Sequence, residues 1–406
     1  MEIVNRLWYY ESFVRSAVDG AGIALAQYDM PLYLLLLIPV FIPALIVAAL
    51  KFRIKFYGIL ASFAMLVVSV LFTGLGFKRL IVFIAAELIL AKLYCYIRSK
   101  TKNKIVYFLF LALSMAPLLY VKISAVLPLP DLAFLGVSYL SFRAIATIIE
   151  IYDGTIIRVR VWTMLYFLAF FATLSSGPID RYRRFAEDCD KKIGRKEYFR
   201  DYLSHGIRKI LMGLGYKFVL AYLINQYWLT NVTHIHSVLG FFSLAYAYIL
   251  FLFFDFAGYS NFAVGTSYIL GIRTPDNFKL PFLSLDMKDF WTRWHISLSQ
   301  WFRDYIYSRA LMNFMRKKTF KSKHAAGNAA NLVTMFMMGL WHGLQPHYLV
   351  YGVYQGMALV LTDIYNRKSK FYGKHKNKLI YQLAAVFVTF NIAACGILIF
   401  SGYLFA

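Results

Sequence analysis

Acidic residues, cysteines and polar stretches are all scarce in this sequence. Only 20 of 406 residues are Asp or Glu, against 44 Lys or Arg, and charged residues make up 16%. Soluble domains carry about 25% charge and about 45–50% apolar residues. Here 60% are hydrophobic and 18% aromatic, which excludes an ordinary soluble domain. The three cysteines, Cys95, Cys189 and Cys395, lie far apart with no CxxC spacing. That excludes a disulfide framework and a thiolate zinc site. No internal repeat and no shift in composition sets off a soluble part, so one membrane-embedded domain over residues 1–406 is expected. A basic start followed by a short apolar core is also missing. Glu2, Glu11, Asp19 and Asp29 are scattered through the N-terminal stretch, and no cleavable signal peptide is expected.

What is there is a series of apolar runs, several of the roughly 17–25 residues that a membrane helix needs. They lie at Pro31–Leu50, Phe56–Thr73, Leu80–Ile97, Ile105–Val121, Ile210–Thr230, Ser237–Phe256, Tyr348–Ile364 and Leu379–Ser401. The expected fold class is all-α, a polytopic integral membrane protein. Residues 1–30, with Trp8, Tyr9, Tyr10 and Phe13, read as an interfacial helix. Asp131–Glu150 and Val161–Ser176 are short or interrupted. Basic residues at both ends of the second favour one side of the membrane, which points to half-membrane or re-entrant helices.

The net charge of +24 is a signal of topology and not of nucleic acid, because Lys and Arg collect in the loops. Ten of them fall in residues 177–209, which read as a cytoplasmic amphipathic stretch. By the same rule Lys51–Lys55, Arg98–Lys104, Arg316–His324 and Arg367–Lys378 face the cytosol, and both termini lie outside. A basic inner face attracts anionic lipid head groups or an acidic soluble partner.

Chemistry centres on two histidines. His342 lies in MFMMGLWHGLQPHY, otherwise almost wholly apolar, and an ionisable group in such a run marks a functional site by default. With a helix starting near Ala330, His342 sits about 18 Å along it. Trp341 precedes it, and Gly339 and Gly343, four apart, allow close helix packing. A core histidine bonded to a neighbouring helix is the alternative. His295 lies in WTRWHISLSQWFRDYIY, where Trp291, Trp294, His295 and Leu298 share one face if the segment is a helix. Its alternative is an interfacial helix with an aromatic belt. His205, His324 and His375 sit in basic loops and read as solvated. His234 and His236 form an HxH pair without further ligands that can be named, so no metal site is expected. A neutral imidazole suits general-base work. No GxSxG elbow is present and no cysteine adjoins either histidine, so direct transfer is favoured over a covalent acyl-enzyme. Glu87 and Asp255 are the clearest intramembrane carboxylates. Glu87 would neutralise Lys92 or a distant arginine, and the turn residues after Asp255 point to a helix break there.

WTRWHISLSQWFRDYIY, MMGLWHG, FFDFAGYSNFAVGTSYILGI and LGVSYLSFRAIATIIEIYDG, in that combination, resemble the membrane-bound O-acyltransferase (MBOAT) family. The match runs from about residue 135 to about 356, with residues 291–347 as the motif core. The resemblance implies a helical ring around a central tunnel, with short or re-entrant helices. It makes His342 the family histidine and base, and His295 the second family position. It assigns Trp291, Arg293, Trp294, Ser297, Trp341 and Asp255 to the tunnel or its support.

Within the family, the chain length and SSGPIDRYRRF resemble the branch of Gram-positive bacteria that moves D-alanine to teichoic acids. The alginate O-acetyltransferase branch, usually longer, shares the WHISLS-type motif. The D-alanyl branch implies an acidic cytosolic carrier protein whose phosphopantetheine arm brings D-alanine as a thioester, a lipoteichoic acid acceptor, accessory membrane proteins, and no cofactor or metal bound by the chain itself. Leu311, Met312, Met315, Arg316 and Lys317 are the expected carrier dock, with a membrane-surface helix as the alternative. O-acetylation of a polysaccharide, or a transporter with a histidine proton relay, are the other functional readings.

Overall fold

The computed structural model describes Tyr28 and residues 31–50, 54–73, 76–232 and 237–405. The interfacial helix expected over residues 1–30, Tyr28 apart, and the His234/His236 pair lie outside the described residues. All regular elements among the described residues are helical. They form two compact units. One takes the residues up to Gly215 together with Gly258–Pro275; the other takes Tyr216–Ala257 and Asp276–Ala406.

The first unit contains α1 (Pro31–Ala49), α2 (Ile54–Thr73), α3 (Phe77–Lys100), α4 (Lys104–Ser124), α5 (Val137–Asp153), α6 (Val161–Ala169), α7 (Tyr182–Asp190) and α8 (Ser204–Leu214). In α1, Tyr33, Leu37, Val40 and Ala44 are buried, while Leu35, Ile38, Ile42 and Ile46 are exposed. A helix that is apolar on both faces, one of them uncovered, belongs in a bilayer. By length and composition α3 and α4 can cross a membrane, and so can α9 and α15, introduced below. The protein is an all-α membrane protein.

α6 stops after nine residues and gives way to a 3-10 turn at Phe171–Thr173. A helix that ends early leaves carbonyls without partners, which is costly away from water. Arg143 of α5, 1% exposed, meets that need. Its guanidinium donates to the Phe167 carbonyl at 2.9 Å and to the carbonyl and hydroxyl of Thr173. The short span expected over Val161–Ser176 therefore has a built-in compensating donor. Glu87 departs from expectation. Its carboxyl accepts from the Ser114 hydroxyl at 2.9 Å on α4, while Lys92 donates to the Val159 carbonyl. A hydroxyl one helix away satisfies the acid without a cation.

The second unit contains the N-terminal part of α9 (Val238–Ile269), then α10 (Met287–Arg293), α11 (Ile296–Phe302), α12 (Ser308–Arg316), α13 (Lys323–His342), α14 (Pro346–Lys368) and α15 (Leu379–Ser401). The run Ile210–Thr230 is helical but loosened by wide π turns at Gly215–Ala221 and Asn225–Leu229. No break occurs after Asp255; α9 runs on unbroken to Ile269. The Asp255 carboxylate is held by Lys217 at 2.5 Å. Beyond it the Ser267 hydroxyl donates to the Ala263 carbonyl of the same helix at 2.6 Å. Tyr259 hydrogen-bonds Ser175, and the Tyr28 ring stands edge-on to Tyr259 at 5.0 Å.

α13 and α14 pack backbone to backbone. A Cβ on Gly339 would lie 2.4 Å from the Tyr348 carbonyl oxygen, and one on Gly352 would lie 2.6 Å from that of Met335. The close approach expected of Gly339 is present. Gly343, its expected companion, lies past the end of α13, and Gly352 of α14 takes that part.

Candidate active site

His295 occupies a two-residue gap between α10 and α11, with φ 42° and ψ 54°. The left-handed region costs a non-glycine residue about 1–3 kcal/mol and persists only where the surroundings impose it. Here the imposing segment is 277–279. The Lys279 N–H donates to the Arg293 carbonyl at 3.0 Å, and the Ile296 N–H donates to the Asn277 carbonyl at 2.9 Å. The Ser297 hydroxyl and N–H donate to Asn277 Oδ1 at 2.6 and 3.2 Å. This clamp fixes the chain on both sides of the histidine. It also breaks the helix on which Trp291, Trp294, His295 and Leu298 were expected to share a face.

Aromatic rings wall the His295 imidazole, which is 6% exposed. Phe256 of α9 meets it edge-on at 4.7 Å, and Phe278 stands between Phe256 and Trp294 at 5.2 Å from each. Trp294 in turn stacks on Phe290.

His342 is the last residue of α13, which begins at Lys323 and not near Ala330. The imidazole thus sits about 28 Å along the helix, at its carbonyl end. The small residues Ala325, Ala326, Gly327, Ala329 and Ala330 lengthen α13 at its start, and its first turn is capped by the Ser322 hydroxyl. The half-buried ring lies against Trp341 at 4.4 Å and Phe400 of α15 at 4.8 Å, with Tyr348 and Tyr351 of α14 at 5.9 and 6.0 Å. α11, which follows His295, meets α13 next to His342 through the rings of Phe302 and Trp341, 6.5 Å apart. Two imidazoles walled by aromatic rings can move a proton while little water reaches them.

The other expected site residues divide. Ser297 supports His295 through Asn277, Trp294 lines its wall, and Trp341 packs on His342. Trp291 is buried, and its indole N–H has no hydrogen-bond partner among the described residues. Arg293 is held by Asp289 at 2.7 Å. The Asp255 carboxylate is engaged by Lys217, although its neighbour Phe256 touches His295. On α12, Met312, Met315, Arg316 and Lys317 are exposed and Leu311 is half-buried. Sequence reasoning missed Asn277, Phe278, Tyr351 and Phe400. The turn Pro275–Asp276–Asn277 was a signal for a fixed loop, but nothing local tied it to residue 295.

Several known proteins are similar to this chain in sequence. A teichoic acid D-alanyltransferase of Bacillus subtilis is 37% identical over 390 residues, covering 93% of this chain and 98% of the relative. One from Streptococcus thermophilus is 37% identical over 398 residues, covering 94% and 96%. A probable alginate O-acetylase of Pseudomonas putida is 34% identical over 234 residues, covering 56% of this chain and 45% of its own. The profile of the membrane-bound O-acyltransferases matches residues 62–405, both histidines included. The chain belongs to the membrane-bound O-acyltransferase family.

Proposed function

We propose that this protein transfers D-alanine to teichoic acid in the bacterial cell membrane. The observation that carries this reading is identity to teichoic acid D-alanyltransferases over nearly the whole of both chains. The alginate O-acetylases match little more than half of it. D-Alanine arrives from the cytosol as a thioester on the phosphopantetheine arm of an acidic carrier protein. It leaves as an ester on a hydroxyl of lipoteichoic acid outside, with accessory membrane proteins in the same pathway. Both termini of the chain lie outside.

In the reaction, His342 takes the proton of the attacking hydroxyl as its oxygen bonds to the thioester carbonyl carbon. His295 donates to the carbonyl oxygen and stabilises the negative charge that develops there. When the tetrahedral intermediate collapses, the carbon–sulfur bond breaks and the imidazolium of His342 returns its proton to the departing thiolate. The aromatic walls keep out the water that would otherwise hydrolyse the thioester. Tyr348, Tyr351 and Phe400 hold the ring of His342, and the Asn277 clamp holds that of His295.

Donor competition tests the reading. Purified protein in liposomes is given lipoteichoic acid and either D-alanyl or acetyl carrier protein, with the accessory proteins present. Label is expected to move from the D-alanyl carrier at least tenfold faster. Preference for acetyl would make the protein an O-acetyltransferase and end the D-alanyl assignment.

A further inference from the structure

Away from both histidines, the first unit holds a cavity of about 930 Å³ whose lining joins an apolar floor to a basic rim. Ala48 at the end of α1, Ile54 at the start of α2, and Ile193 form the floor, backed by the buried rings of Tyr198 and Tyr202. Lys55 and the turn 191–196 form the rim. The two acids in the wall are already engaged. Asp188 pairs with Arg184 at 2.6 Å, and Glu197 pairs with Lys191 at 2.6 Å and Arg273 at 3.1 Å. Lys192, Arg195 and Lys196 are exposed and make no ion pair among the described residues. Three uncompensated cations therefore stand over an apolar hollow.

The position of the hollow identifies its occupant. Ile46 and Leu50 at the end of α1, and Phe56 and Leu60 at the start of α2, are all more than half exposed. Exposed apolar surfaces of this kind suit acyl chains, and Ala48 and Ile54 of the same two helices line the cavity. We propose that it binds one anionic glycerophospholipid of the adjoining leaflet, with the phosphodiester on Lys192, Arg195 and Lys196 and an acyl chain over Ala48, Ile54 and Ile193. Basic pockets between membrane helices recognise anionic head groups in this way. An acidic protein would meet the rim but would leave the apolar floor empty. The site is independent of the acyl-transfer reading.

The test is native mass spectrometry and thermal unfolding of the delipidated, full-length protein in detergent. The probes are phosphatidylglycerol, phosphatidylcholine with the same chains, and glycerol 3-phosphate. Wild type is expected to retain one phosphatidylglycerol at least tenfold more tightly than phosphatidylcholine, and to unfold at a higher temperature with it. The surface variant Lys192→Gln/Arg195→Gln/Lys196→Gln should lose that preference while keeping its unfolding temperature in phosphatidylcholine. Ile193→Asp should weaken retention of both lipids. An unchanged preference in the triple variant overturns the proposal. Full competition by glycerol 3-phosphate overturns it in favour of a free phosphate site. A triple variant that keeps its lipid preference but no longer binds an acidic carrier protein makes the rim a protein dock instead.

Discussion

The two imidazoles are held by neighbours of different kinds, and the difference can be measured. His342 is held by rings; His295 is held by hydrogen bonds made one or two residues away. Asn277 Oδ1 accepts two of those bonds and is buried. Asn277→Ala removes the shared acceptor of these two bonds, and losing a buried partner costs about 1–3 kcal/mol. The expected outcome is a fall in kcat of tenfold or more with KM for the carrier nearly unchanged. Asn277→Asp keeps the acceptor and should recover most of the rate. Equal losses in both variants would remove Asn277 from any positioning role. Cys189 gives a second prediction at this scale. Burial pushes its thiol up to about 12, so almost no thiolate exists at neutral pH. In a Cys95→Ala/Cys395→Ala background, maleimide at pH 7.5 should label the native protein at least a hundredfold more slowly than the unfolded chain. Rapid labelling would mean that α7 opens readily.

Among the elements, α13 and α14 set where His342 stands. Their backbones touch at Gly339 and Gly352, and a methyl group at Gly352 would lie 2.6 Å from the Met335 carbonyl. Overpacking of this kind costs about 1–3 kcal/mol. Gly352→Ala should lower the thermal midpoint in detergent and reduce transfer, because the helix that ends in His342 must shift. A variant with wild-type midpoint and rate would show that α14 does not position the ring. Much at this scale was legible beforehand. Spans such as α1 to α4 follow from hydropathy, and the short span from the charges at its two ends. Two features were not. No Gly or Pro marks the gap at 294–295; it is imposed by Asn277 and Lys279 through tertiary hydrogen bonds. Conversely, Gly258, Ser260 and Asn261 resemble a turn, yet α9 passes through them unbroken, with Lys217 on Asp255 and Ser175 on Tyr259 beside them. Local propensity is a weak guide wherever side chains far away in sequence supply the partners.

For the whole molecule, the excess of basic over acidic residues, 44 against 20, favours encounter with anionic partners in general. The carrier dock expected from the sequence, on α12 and the residue that follows it, combines exposed Met312 and Met315 with Arg316 and Lys317. Apolar residues there should govern dissociation and basic ones association. Leu311→Asp/Met315→Asp should weaken carrier binding at least tenfold at any salt concentration. Arg316→Gln/Lys317→Gln should slow association mainly at low ionic strength, where screening extends over about 10 Å or more. Surface plasmon resonance across a salt series separates the two. Carrier binding that ignores both variants would place the dock elsewhere. At this scale the family motifs in the sequence pointed to the histidines as candidates, while the aromatic rings around them, drawn from α9, α14 and α15, emerged only when the chain was folded.

The proposed reaction turns on His342 as the base for D-alanyl transfer. Wild type and His342→Ala, each in liposomes with radiolabelled D-alanyl carrier protein, lipoteichoic acid and the accessory proteins, provide the direct measurement. Loss of a general base costs about 10²–10⁴ in rate. Label reaching lipoteichoic acid should fall by that factor, with carrier binding and the unfolding midpoint retained. A folded His342→Ala protein that transfers D-alanine at the wild-type rate would contradict it.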